Sequence, residues 1–292
     1  MHFLRNINWR LILPIAAVIL FTVSCAAVAQ VTQTAPAGAA GTTPTTTQTQ
    51  PAPAAGAPKP PARQTGYVDT PDSVKKLVQD SQAATKKYAD GGMGVHFSEN
   101  MTLSFKNMTL LSEADGDLMP GKVKFSGELR LPRELVPCGC PNPLLYDAVV
   151  TDGMFYLKPH GGHWKSHSVE DISNLDDNVE KMDFLQFVTT WKNLGIETQN
   201  GNRVYHVRLD FDAKAVYGKL EQHLKANADK ATRDGMDKLK TSVLEDDIWI
   251  GADNLLIYQE TSHIRNDDLY ISGDDMYMFW NWGEKVNITA PM

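Results

Sequence analysis

Two stretches of this chain alternate apolar and polar residues so regularly that they fix the kind of surface it builds. Val95, Phe97, Met101, Leu103 and Phe105 alternate with His96, Ser98, Thr102 and Ser104. Val123, Phe125, Leu129 and Leu131 alternate with Lys122, Lys124, Glu128 and Arg130. A period of two places all the apolar side chains on one face of a strand, so these segments predict a sheet with one apolar and one wet face. One-sided sheets of this kind are antiparallel. Tyr205, Val207, Leu209 and Phe211 repeat the pattern, and Asp147–Val150 and Met154–Lys158 flank the hairpin signal Thr151-Asp152-Gly153. Further strands are expected at Ile248–Ile250, Leu256–Ile264, Tyr270–Trp280 and Val286–Ile288.

Helices interrupt this series. Thr70-Pro71-Asp72 is a helix start, with a capping hydroxyl, proline at the first helical position and an acid in the first turn. The helix should run Asp72–Ala89, with Val74, Leu77, Val78, Ala84 and Tyr88 at helical spacings, and stop at Gly91-Gly92. A second helix is expected over Lys181–Leu194, and one or two more over Ala213–Leu244 with Gly235 as the break. The absence of βαβ alternation argues against a dinucleotide-binding architecture. The expected class is α+β, an antiparallel sheet of about nine or ten strands with inserted helices.

The first 65 residues do not belong to that fold. Arg5 and Arg10 precede an apolar run, Leu11 to Val23, about thirteen residues long, which suits a signal peptide and is short for a membrane span. An uncleaved anchor helix is the alternative. Two cleavage points are open. Ala27-Val28-Ala29 before Gln30 is an A-x-A site, whereas Thr22-Val23-Ser24-Cys25 resembles a lipobox in which Cys25 becomes lipidated. Residues 1–29 are therefore expected as a signal peptide, cut before Cys25 or Gln30. Residues 30–65, rich in Pro, Ala, Thr, Gly and Gln, have too little apolar surface to order and are expected as an extended tether. The folded domain is expected over 66–292.

Charge narrows the partners. Only Arg5, Arg10, Lys59 and Arg63 precede the first acid, Asp69, so the remainder carries 24 basic against 35 acidic residues, a net −11. A domain this acidic repels phosphate backbones, and nucleic acid is not an expected partner.

Three phrases then bear on family. Gly195-Ile196-Glu197-Thr198-Gln199-Asn200-Gly201-Asn202-Arg203-Val204-Tyr205-His206-Val207 follows the expected middle helix. Ile248-Trp249-Ile250-Gly251-Ala252-Asp253 leads into Leu255-Leu256, and Trp282-Gly283-Glu284-Lys285-Val286-Asn287-Ile288-Thr289-Ala290-Pro291 closes the chain. In this order, from Asp72 to Pro291, they resemble the bacterial lipoprotein-carrier superfamily, the LolA and LolB carriers and the LppX/LprG-type lipoproteins. Leu255-Leu256-Ile257 departs from the pattern in lacking a proline after the leucine. The resemblance implies an incomplete β-barrel wrapped over helices, with an apolar cavity for acyl chains. It also implies a lipid or other apolar ligand, no catalysis and no cofactor.

Candidate cavity residues are the apolar members of the alternating strands: Phe97, Met101, Leu103, Phe125, Leu129, Tyr205, Val207, Leu209, Leu256 and Tyr258. Met278 and Trp280 join them, because Met276, Met278, Trp280 and Trp282 alternate with Tyr277 and Phe279 and leave both faces of that strand apolar. Cys138-Gly139-Cys140 is compatible with a local disulfide, a thiolate pair for metal or redox work, or free thiols. His160, His163 and His167 would bind a metal only if a turn gathered them; a glycine hairpin at Gly161-Gly162 with solvated histidines is the preferred reading. The acidic runs Asp176-Asp177, Glu245-Asp246-Asp247, Asp267-Asp268 and Asp274-Asp275 are expected in solvated turns. The leading expectation is an exported envelope protein that carries an apolar ligand, held to the membrane if Cys25 is lipidated. The alternatives are a ligand-free envelope scaffold on the same fold, or a metal- or redox-active protein using Cys138, Cys140 and the His160 cluster.

Overall fold

The computed structural model describes residues 67, 69–136, 141–169, 182–224, 226, 228 and 230–291. The expected signal peptide, its two cleavage points at Cys25 and Gln30, the tether, Cys138, Cys140 and Asp176-Asp177 lie outside the described residues.

Helix α1 spans Pro71–Asp90. At its start the Ser73 amide donates to the Thr70 hydroxyl (3.4 Å), and at its end the Gly91 and Met93 amides donate to Lys87 and Tyr88 carbonyls with Gly92 at φ 67°. Val74, Leu77, Val78, Ser81 and Thr85, three and four residues apart, form its buried face.

Eleven antiparallel strands follow among the described residues. They are β1 (Gly94–Phe105), β2 (Met108–Met119), β3 (Lys122–Arg130), β4 (Leu144–Thr151), β5 (Met154–Pro159) and β6 (Lys165–Ser168), then β7 (Val188–Gln199), β8 (Asn202–Phe211), β9 (Val243–Gly251), β10 (Ile257–Asn266) and β11 (Ile271–Glu284). They form one sheet in the order β6-β5-β4-β3-β2-β1-β11-β10-β9-β8-β7. Two meanders are thus joined where the first strand pairs with the last, from Phe105 against Ile271 to Gly94 against Glu284. The sheet does not close, and β6 and β7 are its edges. It is an open half-barrel. Tight turns hold the meanders in register: Asp152-Gly153 and Asn200-Gly201, all at positive φ, connect β4 to β5 and β7 to β8.

Helices α2 (Ala213–Gln222) and α3 (Lys230–Leu239) lie between β8 and β9. The Asp212 carboxylate caps α2 by accepting the Ala215 amide at 3.0 Å. Ala213, Val216, Tyr217 and Leu220 pack with Met182 and Phe184 into a small second core, against which Leu244 and Ile264 rest. Asn266 ties this unit to the sheet. It is 1% exposed, its Nδ2 donates to the Lys238 carbonyl (3.1 Å), Thr241 Oγ1 (3.2 Å) and Ser242 Oγ (3.0 Å), and its Oδ1 accepts the Leu269 amide (2.9 Å).

Several expectations need correction. Lys181–Leu194 is not a helix: a 3-10 turn at Phe184–Phe187 leads directly into β7. The β-branched run Val188-Thr189-Thr190 favours a pleated strand, and pairing with β8 outweighs the helical spacing of Phe187, Trp191 and Leu194. Gly235 lies inside α3, and the break falls between Gln222 and Lys230. Val286–Ile288 is not a strand, although Ile288 is buried. Strands β2 and β6 were absent from the expected set.

Replacing Asn266 with alanine removes the partner of the buried Ser242 hydroxyl and of the part-buried Leu269 amide. The expected loss of folding stability in a urea titration is about 2 kcal/mol, with the slope unchanged.

Candidate functional site

Alternation sorts the sheet into two faces. On the inner face, Val95, Phe97 and Met101 of β1 meet Phe125 and Leu129 of β3, Tyr205, Val207 and Leu209 of β8, and Tyr277 and Phe279 of β11 in one buried core. Val74, Leu77 and Val78 of α1 belong to the same core. Helix α1 is fixed at both ends over the C-terminal meander. The Asn193 amide of β7 donates to Asp69 (3.1 Å) just before the helix, and Tyr67 meets the Tyr205 ring edge-on at 5.6 Å. At the other end Tyr88 touches Trp282 of β11 (6.3 Å), whose Nε1 donates to the Ile257 carbonyl at 2.9 Å.

Of the twelve candidate cavity residues, Phe97, Met101, Phe125, Leu129, Tyr205, Val207 and Leu209 are together in this core, and Leu103 packs at its margin. Leu256 and Tyr258 sit at the β9–β10 turn. Leu256 is buried outside the main core, and the Tyr258 hydroxyl accepts from Asn254 at 3.0 Å. Met278 and Trp280 are on the other face. They pair with Ser98 and His96, and Trp280 stacks on the His96 ring (6.3 Å, 19°). The inward residues of β11 are instead Tyr277 and Phe279.

The inner face is not uniformly apolar. Following the register across eight strands, Tyr146, Gly127, Ala114, Glu99, Tyr277, Glu260, Ile248 and Val207 stand side by side from β4 to β8. Glu99 and Glu260, 5% and 3% exposed, flank Tyr277. The Tyr146 ring lies over Gly127, where a Cβ would come within 3.0 Å of its hydroxyl oxygen. Burial first, then the negative charge of Glu99, push the Tyr146 phenol up to about 12 against an opposing hydrogen bond with Ser112, so it is neutral in ordinary solution. Sequence reading passed over Glu99, yet its place in the phase of Val95, Phe97 and Met101 was the available signal.

The other weighed positions form no site. His160 and His163 are exposed and His167 partly so, around the Gly161-Gly162 turn, where the Gly162 amide donates to the Pro159 carbonyl (2.8 Å). Among the described residues no group of three or more His, Cys, Asp or Glu side chains is arranged to hold a metal. Glu245-Asp246-Asp247 and Asp274-Asp275 are not in turns but inside β9 and β11. Asp247 is buried, and Arg208 donates to it from Nε (3.0 Å) and Nη2 (2.7 Å).

The close fit of Tyr146 on Gly127 has a direct test. Gly127→Val would meet the Glu113 carbonyl (2.6 Å) as well as the ring and should lower stability by about 1–3 kcal/mol, read by thermal unfolding, whereas Gly121→Val, at a turn with nothing within 4 Å, strains only the backbone. In the Gly127 variant, the spectrophotometric titration of tyrosine should also show one fewer of the late-ionising phenols, a group that Tyr67 and Tyr217 share with Tyr146.

No family model and no curated protein matches this chain. Among solved structures it is similar to LprF from Mycobacterium bovis, with 20% identity, 76% of this chain and 98% of that one covered, and a TM-score of 0.44. It is similar to lipoprotein LppX of Mycobacterium tuberculosis at 15% identity, over 74% and 99% of the two chains, with a TM-score of 0.43. A LolA superfamily protein from Nitrosomonas europaea aligns at 7% identity over 68% and 90%, with a TM-score of 0.24.

Proposed function

We propose that this protein holds a lipid-like, largely apolar ligand against the inner face of its half-barrel, as a non-catalytic protein of the cell envelope. The observation that carries this reading is a mismatch of width. Eleven strands at about 4.8 Å spacing make a wall about 50 Å across before curling, and a helix covers only about 10 Å of it. The contacts that fix α1 fall on β7, β8 and β11. The inner residues of the N-terminal meander, Leu110, Ala114, Phe125, Leu144, Ala148 and Leu157, lie on the far side of β1 from those contacts and are buried against one another, so a ligand would enter by parting them. An acyl chain would match that surface, and burial of about 25 cal/mol per Å² is enough to retain one without covalent chemistry. Export rests on the sequence of residues 1–29, and membrane attachment rests on Cys25.

The test uses a fluorescent polyunsaturated fatty acid as probe and the mature protein stripped of co-purified lipid. Saturable binding is expected. Leu110→Trp, on the inner face of β2 outside the row that Tyr146 occupies, should abolish uptake while the melting temperature stays within a few degrees, because the larger side chain takes the space the ligand would open. No saturable uptake by the parent protein, together with an overpacking loss of about 1–3 kcal/mol in the variant, would overturn the reading and leave the scaffold alternative. Separately, Cys25→Ser should shift the protein from the membrane to the soluble fraction. An unchanged distribution would assign cleavage before Gln30.

A further inference from the structure

The outer face of the sheet carries a repeating arrangement of histidines and carboxylates. His206 on β8 has Nδ1 2.8 Å from Glu197 Oε1 on β7 and Nε2 3.0 Å from Asp247 Oδ1 on β9. His263 on β10 has Nε2 3.4 Å from Asp247 Oδ2 and Nδ1 2.5 Å from Asp274 Oδ1 on β11. His96 on β1 has Nε2 2.8 Å from Glu284 Oε2 on β11 and Nδ1 2.5 Å from Asp117 Oδ1 on β2. Each imidazole sits on the middle strand of three with an acid from both neighbours. Acid strands β7, β9, β11 and β2 therefore alternate with histidine strands β8, β10 and β1 across seven consecutive strands.

A neutral imidazole has one N–H and one lone pair, and only the imidazolium can donate from both nitrogens. With a carboxylate oxygen at each nitrogen, the neutral ring must turn one lone pair toward an anion. We propose that His96, His206 and His263 are proton-operated cross-braces that tie the strands from β7 to β2 together on the outer face and slacken when they lose their protons. The proposal is independent of what the inner face holds.

Rings and charged groups of the neighbouring strands surround each brace. Trp249 stacks on His206 at 4.3 Å and donates from Nε1 to Glu197 at 3.1 Å, and Trp280 stacks on His96. Glu245 stands directly across from His263, and Asp115 lies beside Asp117 on the same face of β2. The positive groups are Arg208, bound to Asp247, Arg265, beside His263 on the same face of β10 and 3.4 Å from Asp267, Lys192, 3.4 Å from Asp210, and Lys124, across from Asp117. With side chains 13% and 5% exposed, His206 and Asp247 form the least screened pair of the series. The hydrogen bond from His206, then that from Trp249, holds Glu197 below the ordinary carboxylate range. Burial alone would raise Asp247, but the bonds from Arg208 and His206 hold it below its usual value too. The braces are therefore complete only between two limits: acid titrates the carboxylates away, and rising pH removes the imidazolium protons.

The test uses the whole mature protein. Imidazole ¹⁵N spectra at about pH 6, where histidine changes charge, should show both ring nitrogens of all three histidines protonated. Urea titrations should show the folding equilibrium constant of the parent falling about tenfold more between about pH 6 and pH 8.5 than that of H96Q/H206Q/H263Q. Single-tautomer spectra at about pH 6, or identical pH slopes for parent and triple variant, would overturn the proposal. If the triple variant does not fold, H206Q alone should remove the largest single share of the slope, and the spectra of the parent decide by themselves.

Discussion

The pairing of the first strand with the last is the constraint on which the structure depends. Without the β1–β11 ladder there would be two separate meanders, each with an apolar face and too few strands to enclose anything. With it, Phe97 lies beside Phe279 and Glu99 beside Tyr277, and one continuous inner surface runs from one edge of the sheet to the other. Helix α1 depends on the same seam, because Tyr88 at its end rests on Trp282 near the end of β11. The outer-face contact from His96 to Glu284 crosses the seam as well.

The two faces solve opposite problems. Inside, large apolar residues provide burial, and the small residues Ala114 and Gly127 leave room in the row for Tyr146 to lie flat beside the strand that carries Glu99. Two glutamates so deep in a sheet interior are costly to desolvate, and Glu99 and Glu260 both keep polar or electrostatic interactions there. Outside, the charged residues are organised by strand rather than scattered. His96, His206 and His263 each stand between acids of both neighbouring strands, so these contacts are attractive, although Asp210 and Glu245 also face each other across β8 and β9.

Much of this was legible in the sequence where a single period governed a segment. Thr70-Pro71-Asp72 and Gly91-Gly92 bracket α1, and the alternation of β1, β3 and β8 assigned their faces correctly. Strand β2 escaped because its middle inward positions, Ser112, Ala114 and Gly116, are small: they are chosen to fit facing side chains and so carry no hydrophobic period. Strand β7 escaped for the reverse reason. Its apolar residues have helical spacing, and irregular register between Asn193 and Gly195 disrupts the strand's own period. In β11 both faces are apolar, so only pairing with β1 could assign Tyr277 inward and Met278 outward. The acids of β9 read as a turn because three adjacent carboxylates look solvated. Asp247 is tolerated there only because Arg208, His206 and His263 converge on it from flanking strands, which no local pattern records.

The central seam also sets an order of events for a chain made from its N-terminus. The meander from β1 to β6 can pair with itself as it emerges, but β1 must present an unpaired, apolar-sided edge until the last strand has been synthesised. Contacts between Phe105 and Ile271 close one of the longest loops available to the folded part, a topology that folds slowly. During that interval the N-terminal half is an incomplete sheet with its most adhesive edge exposed, a template for any other strand in reach. A protein built this way is at greatest risk of mispairing before its final residues arrive, and that vulnerability follows from the strand order alone.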